Sequence, residues 1–267
     1  MRTLSLTEKL IGWQMEQPKM FSWFHILFFV LVFASLFLLV YFFRDCKEKT
    51  MKIVILVFWV LLVVMEILKQ IIRSNQTGVY KYRWDEFPFQ FCETPLYILP
   101  IFLINKNKKF QNVLISFLST YVMFAGLAIL TLPFTGFGKF VFLNIRNMLA
   151  HGFQFMIGVF LFAWNRKNMN IKNFLYGGIV FLVVTAIAIT FNSIVDPKVT
   201  DQVNMFFLNP NYPTQLMILK RIQPHVHWVI FDLLYIVFFS ILAFTTLVVE
   251  HLVWRLCALI KVKVRKS

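Results

Sequence analysis

Long apolar blocks separated by short polar linkers run through the whole chain. Each block is close to the length at which an α-helix crosses about 30 Å of hydrocarbon, roughly 20 residues. The blocks lie at 21–43, 53–72, 88–105, 111–132, 143–164, 174–193 and 226–254. This pattern predicts an all-α, polytopic membrane protein with about seven transmembrane helices, which form a single transmembrane domain over residues 1–267.

The composition favours membrane insertion over a soluble domain. Hydrophobic residues make up 59% of the chain and charged residues only 15%, and the mean hydropathy is +0.72, whereas soluble domains carry about 25% charged residues. The first block is too long for the apolar region of a signal peptide and lacks a small-residue cleavage site, so we expect it to be retained. The block at 88–105 contains Pro88, Pro95 and Pro100, which interrupt a helix.

The placement of Lys and Arg predicts the orientation. The linkers after the first, third and fifth blocks and the C-terminal tail carry 15 of the 27 basic residues. Because short basic linkers stay in the cytoplasm, we expect the N-terminus outside and the C-terminus inside the plasma membrane. The net charge of +15 has the same origin, and without a basic stripe of interleaved aromatics it does not indicate nucleic-acid binding. Membrane lipids are the expected partners, and the sequence leaves the oligomeric state open.

Few polar side chains interrupt the predicted spans, although an ionisable group in hydrocarbon is costly unless it is paired or faces water. They are His25, Glu66, Lys69, Gln90, Cys92, Glu93, His151 and Asp232. With the orientation above, each lies within about two to three helical turns of the outer surface, at about 1.5 Å per residue. One interpretation is an outward-facing cavity shared by several helices. The other is that single side chains such as Lys69 extend to the lipid headgroups.

Cys92 has an unusual local environment among these residues. Pro95 cannot donate to the carbonyl of Phe91 and its ring crowds the preceding turn, so we expect a distorted helix around the thiol. A thiol in apolar surroundings needs a base to react, and His151 is the imidazole at similar depth. A metal site built from the His and acidic residues of this set is less favoured, because no two of them share a helix at i, i+3 or i+4. We therefore predict neither a metal nor a cofactor.

Four short motifs follow one another along the chain. They are Phe21-Ser22 with His25, Glu66, Phe87-Pro88-Phe89-Gln90-Phe91-Cys92 and Ala150-His151-Gly152. In this order and spacing the chain resembles the bacterial YwaF-type integral membrane proteins, which are similar to the eukaryotic transmembrane-protein-164 family. Those proteins show Leu-Pro-Leu-His/Gln-Leu-Cys and Ala-His-Gly at the last two positions. The segment 204–208 is similar to a further family segment, Asn-Tyr-Met-Phe-Leu, but the basic residue that usually precedes the next proline is missing here.

The resemblance implies acyl chemistry on lipids, with Cys92 as the nucleophile and His151 as its base. A more distant similarity to the androgen-induced membrane hydrolases of fatty-acid esters, which pair a threonine with a histidine, supports the architecture and not the nucleophile. Glu93 departs from this scheme, because a carboxylate beside the thiol opposes its ionisation unless the two side chains point in different directions.

Depth in the membrane suggests roles for the other polar residues. Gln90 and Asn204 are candidate donors to a developing oxyanion, and Glu66 or Asp232 is a candidate to orient the histidine. His25 belongs to the same substrate-binding layer. We therefore expect a membrane-embedded acyltransferase or lipase that uses a Cys-His pair in an outward-facing cavity. The alternative is a non-catalytic transporter or receptor that binds a lipid or a small polar ligand in that cavity.

Overall fold

The computed structural model describes residues 6–75, 79–133 and 136–266, and within these ranges the chain is helical without a β-strand. The helices are α1 (Leu6–Gly12), α2 (Trp23–Phe43), α3 (Glu48–Ser74), α4 (Pro95–Ile104), α5 (Lys108–Phe117), α6 (Met123–Thr131), α7 (Val141–Asn165), α8 (Ile171–Val195), α9 (Leu219–Ile222) and α10 (Trp228–Lys266). A π-helical turn at Leu118–Val122 joins α5 to α6.

Six helical segments in the described ranges are long and apolar enough to span a membrane. They are Trp23–Phe43, Glu48–Ser74, Lys108–Thr131, Val141–Asn168, Ile171–Lys198 and Trp228–Cys257. These segments match six of the seven predicted blocks and confirm an all-α polytopic membrane protein. The second segment begins before the block predicted at 53–72, because its first turn is charged and therefore does not belong to an apolar block. That turn is nevertheless helical, and Glu48 and Lys52 form an i,i+4 ion pair of 3.2 Å within it.

The block predicted at 88–105 forms a shorter apolar helix over Phe91–Ile104. It begins as a 3-10 turn at Phe91–Glu93 and continues as α4. Pro95 occupies the first turn of α4, where its missing N–H leaves no hydrogen bond unmade. Pro88 and Pro95 therefore limit this helix at its N-terminal end. The expectation that Pro100 also interrupts it was wrong, because α4 continues through Pro100 and the indole N–H of Trp59 donates to the carbonyl of Leu96, four residues earlier, at 3.0 Å.

Successive helices run in opposite directions between two sides of the bundle. On the side where α2 begins, called the N-terminal side below, the connections are long, at 75–90, 132–140 and 196–227. On the opposite side they are short, at 44–47, 105–107 and 166–170. Lys108 at the start of α5 pairs with Glu48 at the start of α3, so the short α4 runs from one side to the other. The assignment of the N-terminal side to the cell exterior stays a prediction from the basic residues.

The linker at 44–47 is fixed to the end of α7. The indole N–H of Trp164 donates to the carbonyl of Cys46 at 2.9 Å, and Arg166 lies 3.2 Å from Asp45. Arg166 also stacks over the ring of Trp254, 4.6 Å from its centroid. Burial raises the pKa of the Cys46 thiol, which makes it a poor nucleophile at neutral pH.

Helix α7 lies at the centre of the bundle, with 72% of its spanning window buried against 6% for α2. Glycines allow its neighbours to approach closely. A Cβ on Gly152 would lie 2.5 Å from Cγ2 of Val32 on α2, and a Cβ on Gly126 of α6 would lie 2.7 Å from the carbonyl oxygen of His151. Helices α2 and α6 therefore hold α7 on both sides of His151, and these small residues serve packing within one chain.

We expect Gly152→Ala to destabilise the protein by about 1–3 kcal/mol, because the added methyl group overpacks the contact with Val32. Val32→Ala in the same chain should recover most of this loss by removing the clashing methyl groups. Thermal unfolding of the single and double variants in detergent measures the coupling. Gly12→Ala is a matched control, since nothing lies within 4 Å of its Cβ. An equal loss with and without Val32→Ala would contradict this packing.

Candidate functional site

A cavity of about 490 Å³ lies towards the N-terminal side, among α3, α6, α7, α10 and the turn that carries Cys92. Its apolar wall comes from α6 and α10 and includes Phe124, Ala125, Ala128, Ile129, Tyr235, Phe238, Phe239 and Leu242. Its polar wall includes Lys69, Gln90, Cys92, Glu93, Asn144, Arg146, Asn147 and His151. The connection 196–227 contributes Phe206, Phe207 and the residues from Gln215 to Leu219. The cavity is therefore amphipathic, with its polar groups concentrated on α7 and the Cys92 turn.

Cys92 lies in the 3-10 turn before α4, which confirms the predicted distortion around this residue. The carbonyl of Phe91, which Pro95 cannot satisfy, accepts instead from the hydroxyl of Thr94 at 2.8 Å. The carbonyl of Cys92 accepts from the side-chain amide of Gln154 on α7. The turn is thus hydrogen-bonded despite the proline, and its thiol-bearing residue is tied to the central helix.

His151 lies on α7 and is only 5% exposed. Its Nδ1 atom is buried and makes no hydrogen bond with any described residue. His151 and Cys92 line the same cavity, and Gln154, three residues after the histidine, holds the cysteine backbone. The structure therefore brings the predicted pair to one space and leaves a ring nitrogen of the histidine without a protein partner.

Four charged side chains form a buried cluster beside the cavity, which we call the ion cluster: Glu66, Lys69, Glu93 and Arg146. Lys69 Nζ lies 2.9 Å from Glu66 Oε1 and 2.6 Å from Glu93 Oε1. Arg146 Nη2 pairs with Glu66 Oε2 and lies 3.3 Å from Glu93 Oε1. Two carboxylates and two cations balance one another, which offsets the cost of burying each charge. The cluster joins α3, the Cys92 turn and α7.

The ion cluster redefines the predicted roles of Glu66 and Glu93. Glu66 is occupied by Lys69, Arg146 and the amide of Gln70, at 2.7 Å for the last, so its contacts are with cations and an amide and not with His151. The charge of Glu93 is paired, and its Oε2 accepts from the backbone N–H of Gln90 at 2.9 Å. The carboxylate next to Cys92 is therefore neutralised locally.

Gln90 and Asn204 use their amide groups on the chain itself. Gln90 Nε2 donates to the carbonyl of Asn204 at 3.0 Å, and Gln90 Oε1 accepts from the N–H of Phe206 at 2.9 Å. Asn204 Oδ1 accepts from the N–H of Asn209 at 2.9 Å. From the other side, Asn192 makes a similar pair of bonds to Met205, at 2.7 and 3.0 Å. These amides clamp the connection 196–227 against the bundle.

The clamped segment contains two residues in an unfavourable backbone conformation. Phe206 and Phe207 have φ of 57° and 58°, in the left-handed region that bulky residues rarely adopt. Such a conformation persists when the surrounding contacts over-determine it. The bonds from Gln90 and Asn192 and the complete burial of Phe206 supply those contacts, and both phenylalanines line the cavity.

His25 and Asp232 lie outside the cavity lining. The Nδ1 atom of His25 accepts from the N–H of Phe21 at 3.0 Å, so its Nε2–H donates to the carbonyl of Leu130 at 2.8 Å. Both ring nitrogens are therefore used to join the start of α2 to the end of α6. Asp232 is half-buried on α10 and has no hydrogen-bond or ion-pair partner in the described part of the chain.

Sequence reasoning missed four residues on α7 that contact this region: Asn144, Arg146, Asn147 and Gln154. All four lie inside the block predicted at 143–164, and Arg146 is an ionisable residue within a span, which marks a functional or paired group. That signal was present in the sequence and could have identified Arg146.

Among the described residues, no three His, Cys, Asp or Glu side chains are grouped so as to hold a metal ion.

These features define a polytopic α-helical membrane protein with an amphipathic cavity lined by its helices and the connections between them. A family model described as the TMEM164 family matches residues 20–243, and the chain belongs to this family. The match covers α2 to α8 and the first part of α10, and hence every helix that lines the cavity. Comparison with curated proteins and with solved structures gave no match. The closer resemblance to the bacterial YwaF type stays a prediction.

We expect Lys69→Met to destabilise the protein by about 3–5 kcal/mol, because it leaves an uncompensated carboxylate in the ion cluster. Adding Glu93→Gln restores neutrality, so the double variant should be more stable than Lys69→Met alone. Thermal unfolding in detergent reports both values. Lys172→Met, at an exposed lysine on the opposite side, is the control and should change stability by less than about 0.5 kcal/mol. A double variant whose loss of stability equals the sum of the losses for Lys69→Met and Glu93→Gln alone would contradict the pairing.

Proposed function

We propose that the chain is a membrane-embedded acyltransferase or lipase that acts on lipid acyl esters in this cavity. The observation that carries the proposal is that Cys92 and His151 line one cavity and that Nδ1 of His151 has no hydrogen-bond partner in the described part of the chain. Acyl transfer by a thiol requires such a base within reach of the nucleophile. Membership of the TMEM164 family and the apolar spanning helices are compatible with a lipid substrate.

The apolar wall of the cavity is long enough to contact much of a lipid acyl chain. On α10 it extends from Tyr235 to Leu242, which is seven residues or about 10 Å along the axis. Half of the hydrocarbon core measures about 15 Å, so this wall covers about two thirds of the depth of one leaflet. A lipid with its headgroup at the N-terminal side would lay one acyl chain between α6 and α10 and present its ester to the polar wall.

The reaction proceeds through a thioester on Cys92. His151 removes the thiol proton, the thiolate attacks the ester carbonyl carbon, and the carbonyl electron pair moves onto oxygen. When this pair re-forms the double bond, the bond to the lipid alkoxide breaks and His151 returns the proton to that oxygen. An acceptor alcohol or water, deprotonated by His151, then attacks the thioester, and the departing thiolate regains the proton. An alcohol acceptor gives an acyltransferase and water gives a lipase.

The proposed location of this chemistry is the outer leaflet of the plasma membrane. The 15 basic residues of the short linkers and tail favour a cytoplasmic position for the side opposite the cavity. Since the cavity lies towards the N-terminal side, it would receive lipids from the outer leaflet.

We predict that Cys92→Ala abolishes release of a labelled acyl chain from phospholipid by the purified full-length protein. Cys46→Ala with Cys257→Ala is the matched control and should retain activity, because these free cysteines lie outside the cavity lining. Binding of fluorescent phospholipid, measured in parallel, reports whether the cavity remains intact. Undiminished acyl release by Cys92→Ala would overturn the proposed chemistry. Retained lipid binding without acyl release by any variant, including the unmodified chain, would favour a transporter or receptor.

We predict that Ala128→Phe shifts the substrate preference towards shorter acyl chains. Ala128 lies in the apolar wall, and a benzyl group there would fill part of the volume that an acyl chain needs. Acyl release from a series of phospholipids of increasing chain length measures the effect. Leu127→Phe is the control, because this neighbour on α6 is partly buried but does not line the cavity. The same chain-length profile for both variants would contradict the placement of the acyl chain.

A further inference from the structure

The proposed thioester chemistry leaves one requirement without an assigned residue. A hydrogen-bond donor must face the ester oxygen on which negative charge develops when the thiolate attacks. Sequence reasoning suggests Gln90 and Asn204 for this role. Both ends of the Gln90 amide, however, are bonded to the backbone of the connection 196–227, and Asn204 does not line the cavity. The donor must therefore be sought among other groups of the polar wall.

Most donors of the polar wall are already engaged. Asn144 uses both ends of its amide on the backbone of Gly138, at 2.8 Å each. Lys69 is held between Glu66 and Glu93, and Nη2 of Arg146 is held by the same two carboxylates. A donor that is engaged in this way cannot turn to a substrate without leaving a buried charge or a backbone group unpaired.

Among the described donors of the polar wall, Nε of Arg146 is also buried without a hydrogen-bond partner, but the ion pairs of Nη2 hold its guanidinium in the ion cluster. Asn147 is a neutral amide outside that cluster. Its Nδ2 atom is buried and has no hydrogen-bond partner among the described residues, although it belongs to the cavity lining. Asn147 precedes His151 by four residues on α7, so the two side chains lie on the same face of the helix, about 6 Å apart along its axis. Asn147 and His151 therefore line the same cavity from adjacent turns of α7.

The space around this amide depends on Gly136. A Cβ at position 136 would lie 2.2 Å from Nδ2 of Asn147, so only glycine leaves the amide in its present position. Gly136 also belongs to the cavity lining. An enlarged residue there would displace the amide while leaving its chemistry unchanged.

We propose that Asn147 donates an amide N–H to the carbonyl oxygen of the lipid ester and stabilises the oxyanion that forms when Cys92 attacks. This inference rests on the proposed function and names the residue that donates a hydrogen bond to the oxyanion. Asn147 transfers no proton. Its hydrogen bond strengthens as the carbonyl electron pair moves onto oxygen and weakens when that pair returns and the bond to the lipid alkoxide breaks.

The test uses Asn147→Leu, which keeps the shape of the side chain and removes the donor, in a chain that carries Cys46→Ala and Cys257→Ala. We expect kcat for acyl release to fall by about 10²–10³-fold, the usual effect of losing one oxyanion donor. The rate at which iodoacetamide alkylates Cys92 should stay unchanged, because the thiolate displaces iodide and no oxyanion forms. Asn147→Gln retains the donor and should recover part of kcat, and Gly136→Ala should lower kcat by displacing the amide.

The outcomes separate this inference from the proposed function. Full acyl release by Asn147→Leu, together with an inactive Cys92→Ala variant, would overturn the role of Asn147 and leave the thioester chemistry in place. A parallel fall in alkylation and acyl release would also overturn it, since the amide would then only support the fold around Cys92. Active Cys92→Ala protein would overturn the proposed function and the inference with it.

Discussion

A charge in the hydrocarbon layer must find a partner within the protein, and in this bundle four charged side chains meet that requirement together. Glu66 and Lys69 come from α3, Glu93 from the Cys92 turn and Arg146 from α7. Because each carboxylate contacts both cations, no element can move away without exposing an unpaired charge to a low dielectric. The ion cluster therefore fixes the short Cys92 turn against the central helix.

The cavity depends on this fixed geometry. Gln154 holds the carbonyl of Cys92, and the close approaches at Gly126 and Gly152 hold α7 on both sides of His151. Gln90 and Asn192 in turn hold Phe206 and its neighbours in place over the site. Cys92, Asn147 and His151 are thus presented by a rigid frame, and these three residues carry the proposed chemistry. Polar residues beside them have mainly structural roles.

Local patterns predict the helices well, and they predict the partners of polar residues poorly. Apolar blocks locate six spanning helices because hydropathy is a property of each segment alone, and Pro95 predicts the distortion at Cys92 for the same reason. The occupation of the Gln90 amide by residues 204 and 206 depends on contacts more than 110 positions apart, which no local pattern contains. Depth in the membrane likewise groups His25 with His151, although the backbone engages both ring nitrogens of His25, whereas Nδ1 of His151 has no hydrogen-bond partner among the described residues.

The central claim is that the cavity forms a covalent acyl intermediate on Cys92. Mass-spectrometric peptide mapping tests it most directly, with the Cys46→Ala, Cys257→Ala chain incubated with a phospholipid of defined acyl composition and quenched in acid within seconds. We predict an added acyl mass on the peptide that contains Cys92, which neutral hydroxylamine removes. Continued release of lysophospholipid without an adduct on that peptide would contradict the account.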